Sequence, residues 1–71
     1  MKKICTVNYY PHINLASASG KDKFCCEIEC INEITKAVVW KCYFGDTQRK
    51  ASAIAQAQAT KFQNRMIRIY G

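Results

Sequence analysis

Two neighbouring segments of the chain alternate between apolar and polar positions. In residues 24–31, one parity is apolar and consists of Phe24, Cys26, Ile28 and Cys30. A period of two residues is typical of a strand that buries one face. A second alternating run occupies residues 35–44, after a turn at residues 32–34. The two runs predict a long hairpin.

The second run also divides into two alternating sets, and one set is interpreted as the buried face. That set is Val38, Trp40, Cys42 and Phe44. The opposite set, which we expect to face solvent, is Ala37, Val39, Lys41 and Tyr43. Trp40 is therefore predicted to lie in the core.

Two further strands are predicted outside the hairpin. Residues 4–10 are rich in β-forming types and precede Pro11, which would end a strand or occupy its edge. A long connection over residues 11–23 follows, with a turn at Ser19 and Gly20. Residues 66–70 alternate as a last short strand, with Ile67 and Ile69 pointing inward.

A helix is predicted over residues 48–64. This segment contains five alanines and neither glycine nor proline, and alanine is the best helix former. Asp46 or Thr47 can accept a hydrogen bond at its N-terminus, and Asn64 can close it. At about 100° per residue, one face is expected to lie on the sheet. That face consists of Ala51, Ile54, Ala55, Gln58 and Phe62.

These elements predict an α+β fold in one small domain, residues 1–71. The sheet is antiparallel with about four strands, and the alanine-rich helix packs on one of its faces. The expected order is β-β-β-α-β. A chain of 71 residues buries a thin core and leaves little room for a deep substrate pocket beside it.

The charge is distributed unevenly along the chain. The formal net charge is +6, from eleven basic and five acidic residues. Residues 1–35 hold four of each sign, whereas residues 36–71 hold seven basic residues and one acid, Asp46. A local positive potential attracts nucleic acid, acidic protein surfaces or anionic lipid. The alternative is that the extra lysines serve solubility.

The cysteines do not resemble a disulfide framework. Their number is odd and two of them are adjacent, and the N-terminal segment does not resemble a secretory signal. The five cysteines are Cys5, Cys25, Cys26, Cys30 and Cys42. We expect a cytoplasmic, reduced protein in which the thiols act as small hydrophobic residues. No Cys-x-x-Cys pair occurs and His12 is the only histidine, so no metal or other cofactor is predicted.

Residue types that support catalysis or membrane insertion are sparse. His12 is predicted in the loop after Pro11, and a Cys–His dyad would require a thiol brought within hydrogen-bond reach. The glycines are isolated, which excludes a glycine-rich phosphate loop. No apolar stretch approaches the roughly 20 residues of a membrane span. We therefore expect a protein that is not an enzyme and has no membrane partner.

Two surfaces are candidates for partner binding. One is the sheet face opposite the helix, where Lys41, Tyr43, Arg68 and Tyr70 would interleave and tyrosines could stack on unpaired bases. The other is the helix start, with Arg49 and Lys50 where the helix dipole favours an anion, and a flank that continues to Lys61. The complete set of candidate binding residues is Lys36, Lys41, Tyr43, Arg49, Lys50, Lys61, Arg65, Arg68 and Tyr70.

One segment resembles the strand-to-helix junction of double-stranded RNA-binding domains. It reads Phe44-Gly45-Asp46-Thr47-Gln48-Arg49-Lys50-Ala51. Those domains place a basic pair at the start of an alanine-rich helix that follows three strands. The resemblance covers roughly residues 24–62 and implies that Arg49 and Lys50 contact phosphate. The chain departs from the pattern because no helix precedes Ile4 and because a strand is predicted at residues 66–70.

In length, layout and basic charge, the chain also resembles small phage-encoded inhibitors, including type I anti-CRISPR proteins. Several of those are single sheets carrying one helix, and they block nucleoprotein complexes without chemistry. We therefore expect a small basic module that occupies a nucleic-acid or nucleoprotein surface. The alternatives are a stand-alone RNA- or DNA-binding domain and an interaction module for an acidic protein. The sequence does not decide the partner, the binding surface, the strand order or the oligomeric state.

Overall fold

A computed structural model of the chain describes residues 3–15 and 23–71. Three strands precede one helix: β1 (Cys5–Ile13), β2 (Phe24–Asn32), β3 (Val38–Gly45) and α1 (Gln48–Tyr70). The strands form an antiparallel sheet in the order β1-β2-β3, with β2 at its centre. The α+β class and the predicted hairpin are confirmed. The predicted turn at Ser19 and Gly20 lies outside the described residues.

A turn stabilised by Asn32 connects the two strands of the hairpin. Its side-chain oxygen accepts hydrogen bonds from the backbone amides of Ile34, at 2.9 Å, and Thr35, at 3.0 Å. Lys36 then adopts a φ of 67°, which lies in the left-handed region. Lys36 also pairs with Glu33, which accepts a 2.6 Å hydrogen bond from the Thr6 hydroxyl. The Thr6 hydrogen bond and the Lys36 ammonium lower the pKa of Glu33, so they stabilise this end of the sheet most above the ordinary carboxyl pKa.

The helix packs on the sheet through its smallest residues. Ala51, Ala55 and Ala59 are fully buried and meet a row of β2 side chains, which consists of Cys26, Ile28 and Cys30. A helix whose contact residues are alanines can approach a sheet closely. At Gly45, where β3 ends, an added Cβ would lie only 2.8 Å from the backbone nitrogen of Ala51. Glycine is therefore required for this close approach.

The predicted contact face of the helix is confirmed in part. Ala51 and Ala55 are buried, and Phe62 packs on the core while half-buried. Ile54 was expected on the same face but is 42% exposed. With the half-buried Phe62 included, the contact positions Ala51, Ala55, Ala59, Phe62 and Met66 recur every three or four residues, so the contact stripe passes to one side of Ile54.

The predicted fourth strand is wrong, because residues 66–70 are the last turns of α1. The order is therefore β-β-β-α. The alternation of residues 66–70 is too short to outweigh a helix that continues without glycine or proline from Gln48. Met66 follows Phe62 by four residues and is buried, whereas Ile67 and Ile69 are exposed. Within the described residues, no helix is sufficiently long and apolar to span a membrane.

The predicted orientation of β3 is also wrong. Residues directly opposite each other in an antiparallel pair lie on one face of the sheet, and Lys41 lies opposite the buried Ile28. Lys41 and Tyr43 therefore share the face that carries the helix. The opposite face, here called the open face, includes Val38, Trp40, Cys42 and Phe44 of β3. Trp40 is 51% exposed rather than buried.

β1 is longer than its sequence predicts. It continues through Pro11 to Ile13, and each of its residues lies opposite a residue of β2. Proline is compatible with this position because β1 is an edge strand, whose outward backbone groups face no other strand in the described part of the chain. His12 consequently belongs to a strand and not to a loop. Its Cα lies opposite that of Cys25.

The substitution Ala55→Glu tests the helix–sheet contact. It places a carboxylate in a fully buried position, and we expect a loss of about 3 kcal/mol or more from a domain of this size, which has roughly 4–10 kcal/mol in total. Ala53→Glu, on the exposed side of the same helix, should change the free energy of unfolding by less than about 0.5 kcal/mol. Urea denaturation measures both values. Equal losses in the two variants would contradict the described helix orientation.

The exposure of Trp40 predicts its fluorescence. The indole lies on the open face against Tyr10, with ring centroids 5.7 Å apart. We expect acrylamide to quench its emission readily in the folded protein, and the emission maximum to move little on unfolding. Tyr10→Ala should increase the quenching further. Blue-shifted emission that resists acrylamide would show that β3 has the opposite orientation.

Candidate functional site

Four of the predicted binding residues meet in a groove between β3 and α1. They are Lys41 and Tyr43 from the strand, and Lys61 and Arg65 from the helix. The groove has a volume of about 420 Å³. Its remaining lining residues are Ile28, Cys30, Val39, Gln58 and Phe62. The site therefore has an apolar floor and positively charged groups at its rim.

The local geometry of each element explains why these four side chains converge. Lys41 and Tyr43 are two residues apart, so they project from the same face of β3. Lys61 and Arg65 are four residues apart, so they are neighbours on one flank of the helix. β3 is an edge strand, and the helix flank that carries Lys61 and Arg65 lies beside it. All three cationic side chains of the groove are therefore exposed. Tyr43 and Phe62 are half-buried beneath them and join the groove to the core.

The electrostatics of the groove are one-sided. Lys41, Lys61 and Arg65 line it, and none of its lining residues is acidic. Among the described residues, the ion pairs join Lys36 to Glu33 and Lys50 to Asp46, both at 3.1 Å. The three groove cations thus have no carboxylate partner in the described part of the chain. Like charges gathered this way repel each other, and a bound anion would relieve that repulsion.

The other predicted binding residues lie elsewhere. Lys36 is in the β2–β3 turn, and Arg49 and Lys50 are in the first turn of α1. Thr47, one of the two predicted capping residues, accepts a 3.1 Å hydrogen bond from the Lys50 amide. By helical geometry, Lys50 lies on the same flank of α1 as Lys61, whereas Arg49 lies on the other flank.

The predicted tyrosine-bearing surface does not exist in the described structure. It required Lys41, Tyr43, Arg68 and Tyr70 to lie together on the sheet face opposite the helix. Lys41 and Tyr43 lie on the helix side, and Arg68 and Tyr70 belong to the last turn of α1. Two errors in the predicted fold produced this surface. The residues of β3 were assigned to the wrong face of the sheet, and the predicted last strand is part of α1. Arg68 instead extends the line of Lys50 and Lys61 along the helix.

The chemical character of the open face is opposite to that of the basic groove. Glu27 and Glu29 lie on it, and Glu29 accepts hydrogen bonds from Asn8, at 3.0 Å, and from Tyr10, at 3.3 Å. Lys41 is the one basic side chain in the three described strands other than His12, and it points to the helix side. The sheet therefore separates an acidic, aromatic face from a basic groove.

A cluster of possible metal ligands also lies on the open face. The ligand atoms of His12, Cys25 and Cys42 all lie within 4.8 Å of one another. The Cys25 sulfur is 3.1 Å from Nδ1 and 3.4 Å from Nε2 of His12. Sequence spacing did not reveal this group, because each residue comes from a different strand. The signal that could have found it is the register, which places His12 opposite Cys25.

The Cys25–His12 pair is not arranged as an activated nucleophile. Cys25 is 1% exposed, so a substrate has little access to its sulfur. Burial raises the pKa of the Cys25 thiol, and Cys42 and Glu27 raise it further. Reactive cysteines have a lowered pKa, because the thiolate is the attacking species. Cys25, Cys26 and Cys30 are buried, as the sequence predicts for small hydrophobic residues, whereas Cys42 is exposed.

No protein-family model, curated protein or solved structure matches the chain significantly.

Proposed function

We propose that this chain is a small, non-enzymatic module that binds the phosphate backbone of a nucleic acid, free or within a nucleoprotein. The observation that carries the proposal is the groove of Lys41, Lys61 and Arg65, which holds three cations and no acid among its lining residues. Phosphate contacts from lysine and arginine supply most sequence-independent affinity for nucleic acids. Arg65 can contact two phosphate oxygens at once, whereas each lysine acts as a point charge.

The line of basic residues along α1 suits an extended polyanion. Lys50, Lys61 and Arg68 lie within about 20° of one another around the helix. They span 18 residues, or about 27 Å at 1.5 Å per residue. Each strand of a duplex carries one phosphate per about 3.4 Å of helix axis, so that length, laid along the axis, corresponds to about eight nucleotides. The groove lies beside the same flank, so both features would meet one backbone.

The observed element order supports the junction resemblance. Three strands lead into a helix capped by Thr47, and Arg49 and Lys50 lie in its first turn, which contains no acid. Lys50 is paired with Asp46, but both side chains are more than half exposed, so a phosphate can displace this weak pair. The helix start would be a second contact. We place the groove first because its cations have no carboxylate partner among residues 3–15 and 23–71.

We infer that the module acts by occupying a surface, as phage-type inhibitors of the anti-CRISPR kind do. Its described structure supplies a binding groove and a thin core, and the proposed activity requires no chemistry. Free thiols at all five cysteines favour a reducing compartment, and we propose the cytoplasm.

Neutralising the groove tests the proposed function. The triple variant Lys41→Gln, Lys61→Gln and Arg65→Gln should retain its fold, because all three side chains are exposed. We expect weaker binding to duplex and single-stranded oligonucleotides. We also expect the slope of log affinity against log salt to fall by about 0.9 for each lost duplex contact. Fluorescence anisotropy over a salt series measures both effects, and circular dichroism checks the fold.

A matched control separates the groove from the total charge. The triple variant Lys3→Gln, Lys23→Gln and Lys36→Gln removes the same charge from exposed positions outside the groove, and it should bind almost as the parent does. The double variant Arg49→Gln and Lys50→Gln measures the helix start alone. Equal losses in both triple variants would reduce the effect to net charge. If the parent binds no nucleic acid but binds an acidic protein in a groove-dependent manner, the nucleic-acid proposal fails and the interaction-module alternative replaces it.

A further inference from the structure

We propose that His12, Cys25 and Cys42 form a binding site for one zinc ion on the open face of the sheet. Each of the three neighbouring strands supplies one ligand, and the ligand atoms all lie within 4.8 Å of one another. The site is on the other side of the sheet from the basic groove. It therefore requires neither the groove nor a nucleic-acid partner.

The register of the sheet holds the three ligands together. His12 lies directly opposite Cys25, and Cys42 lies opposite Glu27, one diagonal step from Cys25. The Cys25 and Cys42 sulfurs on this diagonal lie within 4.8 Å of each other. With zinc–sulfur and zinc–nitrogen distances of about 2.3 and 2.0–2.1 Å, tetrahedral geometry separates the ligand atoms by about 3.5–3.8 Å. Side-chain rotation of exposed His12 and Cys42 can close the remaining gap, while buried Cys25 stays in place.

The set of ligand atoms selects the class of ion. Two thiolates and an imidazole suit zinc, whereas magnesium and calcium prefer oxygen ligands. On binding, Cys25 and Cys42 would each release a proton to solvent, and the neutral imidazole of His12 would coordinate through one ring nitrogen. Three protein ligands leave the fourth position of a tetrahedral ion for water or for a group on a partner.

The surroundings of the cluster favour a cation. Glu27 lies beside it on the same face and acts electrostatically on Cys25. Glu29 is the next residue of β2 on that face, and the described strands place no lysine or arginine there. His12 and Cys42 are exposed, so an ion can meet these two ligands from solvent, and rotation of their side chains would admit it to the buried Cys25 sulfur.

Titration with Co²⁺ under anaerobic, reducing conditions tests the site, since tetrahedral Co²⁺ with thiolate ligands has a distinctive visible and near-ultraviolet spectrum. We expect saturation at about one ion per chain, with charge-transfer absorption from two thiolates, and displacement by Zn²⁺. Trp40 is two residues from Cys42 on the same face, so bound Co²⁺ should quench its fluorescence. Zn²⁺ should raise the melting temperature.

Single substitutions assign the ligands. Cys42→Ser should halve the thiolate charge-transfer absorption, and His12→Gln should keep it; each should weaken Co²⁺ binding at least about tenfold. Both positions are exposed, and circular dichroism checks that the variants fold. Cys5→Ser is the matched control, because Cys5 lies on the helix side of β1, and it should bind as the parent does.

Three outcomes would overturn the zinc site. One is failure to bind Co²⁺ with one-to-one stoichiometry. Another is equal weakening by Cys5→Ser and Cys42→Ser, which would indicate adventitious thiol binding. The third is a thiol count showing that Cys25 and Cys42 form a disulfide that persists under the reducing conditions of the titration. The titrations are spectroscopic and their samples contain no nucleic acid. Failure of the zinc proposal would therefore leave the proposed groove function unaffected.

Discussion

The register between β2 and its two neighbours determines which side chains share a face, and both proposed sites depend on it. One residue of slippage would move Lys41 and Tyr43 away from the helix and dissolve the groove. The same slippage on the β1 side would separate His12 from Cys25. Backbone pairing is continuous over residues 5–13 and 24–32, and the Asn32 turn anchors the other pair at its closed end. The register is therefore required by both proposed sites as well as by the fold.

The sheet separates two kinds of chemistry in a chain of only 71 residues. On the helix side, exposed cations surround an apolar floor, while the open face combines carboxylates, thiols and an aromatic pair. Because the whole domain is thin, the two faces are close together, yet each can meet a different partner. A basic groove facing a polyanion would leave the acidic face directed away from it, where repulsion is least.

Much of the fold could be predicted from local patterns, and the errors have definite causes. The hairpin, the helix start at Thr47 and the alanine contact face follow from periodicity and capping, which depend on neighbouring residues. The orientation of β3 could not be predicted because both of its parities carry apolar side chains, so only pairing with β2 decides between them. The C-terminal end of α1 was predicted wrongly because the five alternating residues 66–70 fit a strand and a helix equally well.

The candidate sites were predictable in part, for a related reason. Lys41, Tyr43, Lys61 and Arg65 were all identified from charge and residue type, but their meeting in one groove required the corrected orientation of β3. The cluster of His12, Cys25 and Cys42 was not predicted, since sequence motifs for metal sites detect ligands close together along the chain. Ligands contributed by three strands become neighbours only through pairing.

The alanine contact between helix and sheet has a consequence for the entropy of folding. An alanine side chain has no rotamers to lose, so Ala51, Ala55 and Ala59 become fully buried at almost no cost in side-chain entropy. They also bury little apolar area, so the hydrophobic gain per residue is small. The gain is small, but almost no loss of side-chain entropy opposes it. The order of this contact therefore depends mainly on the backbone of the helix, and any loosening of the helix would directly weaken its packing on the sheet.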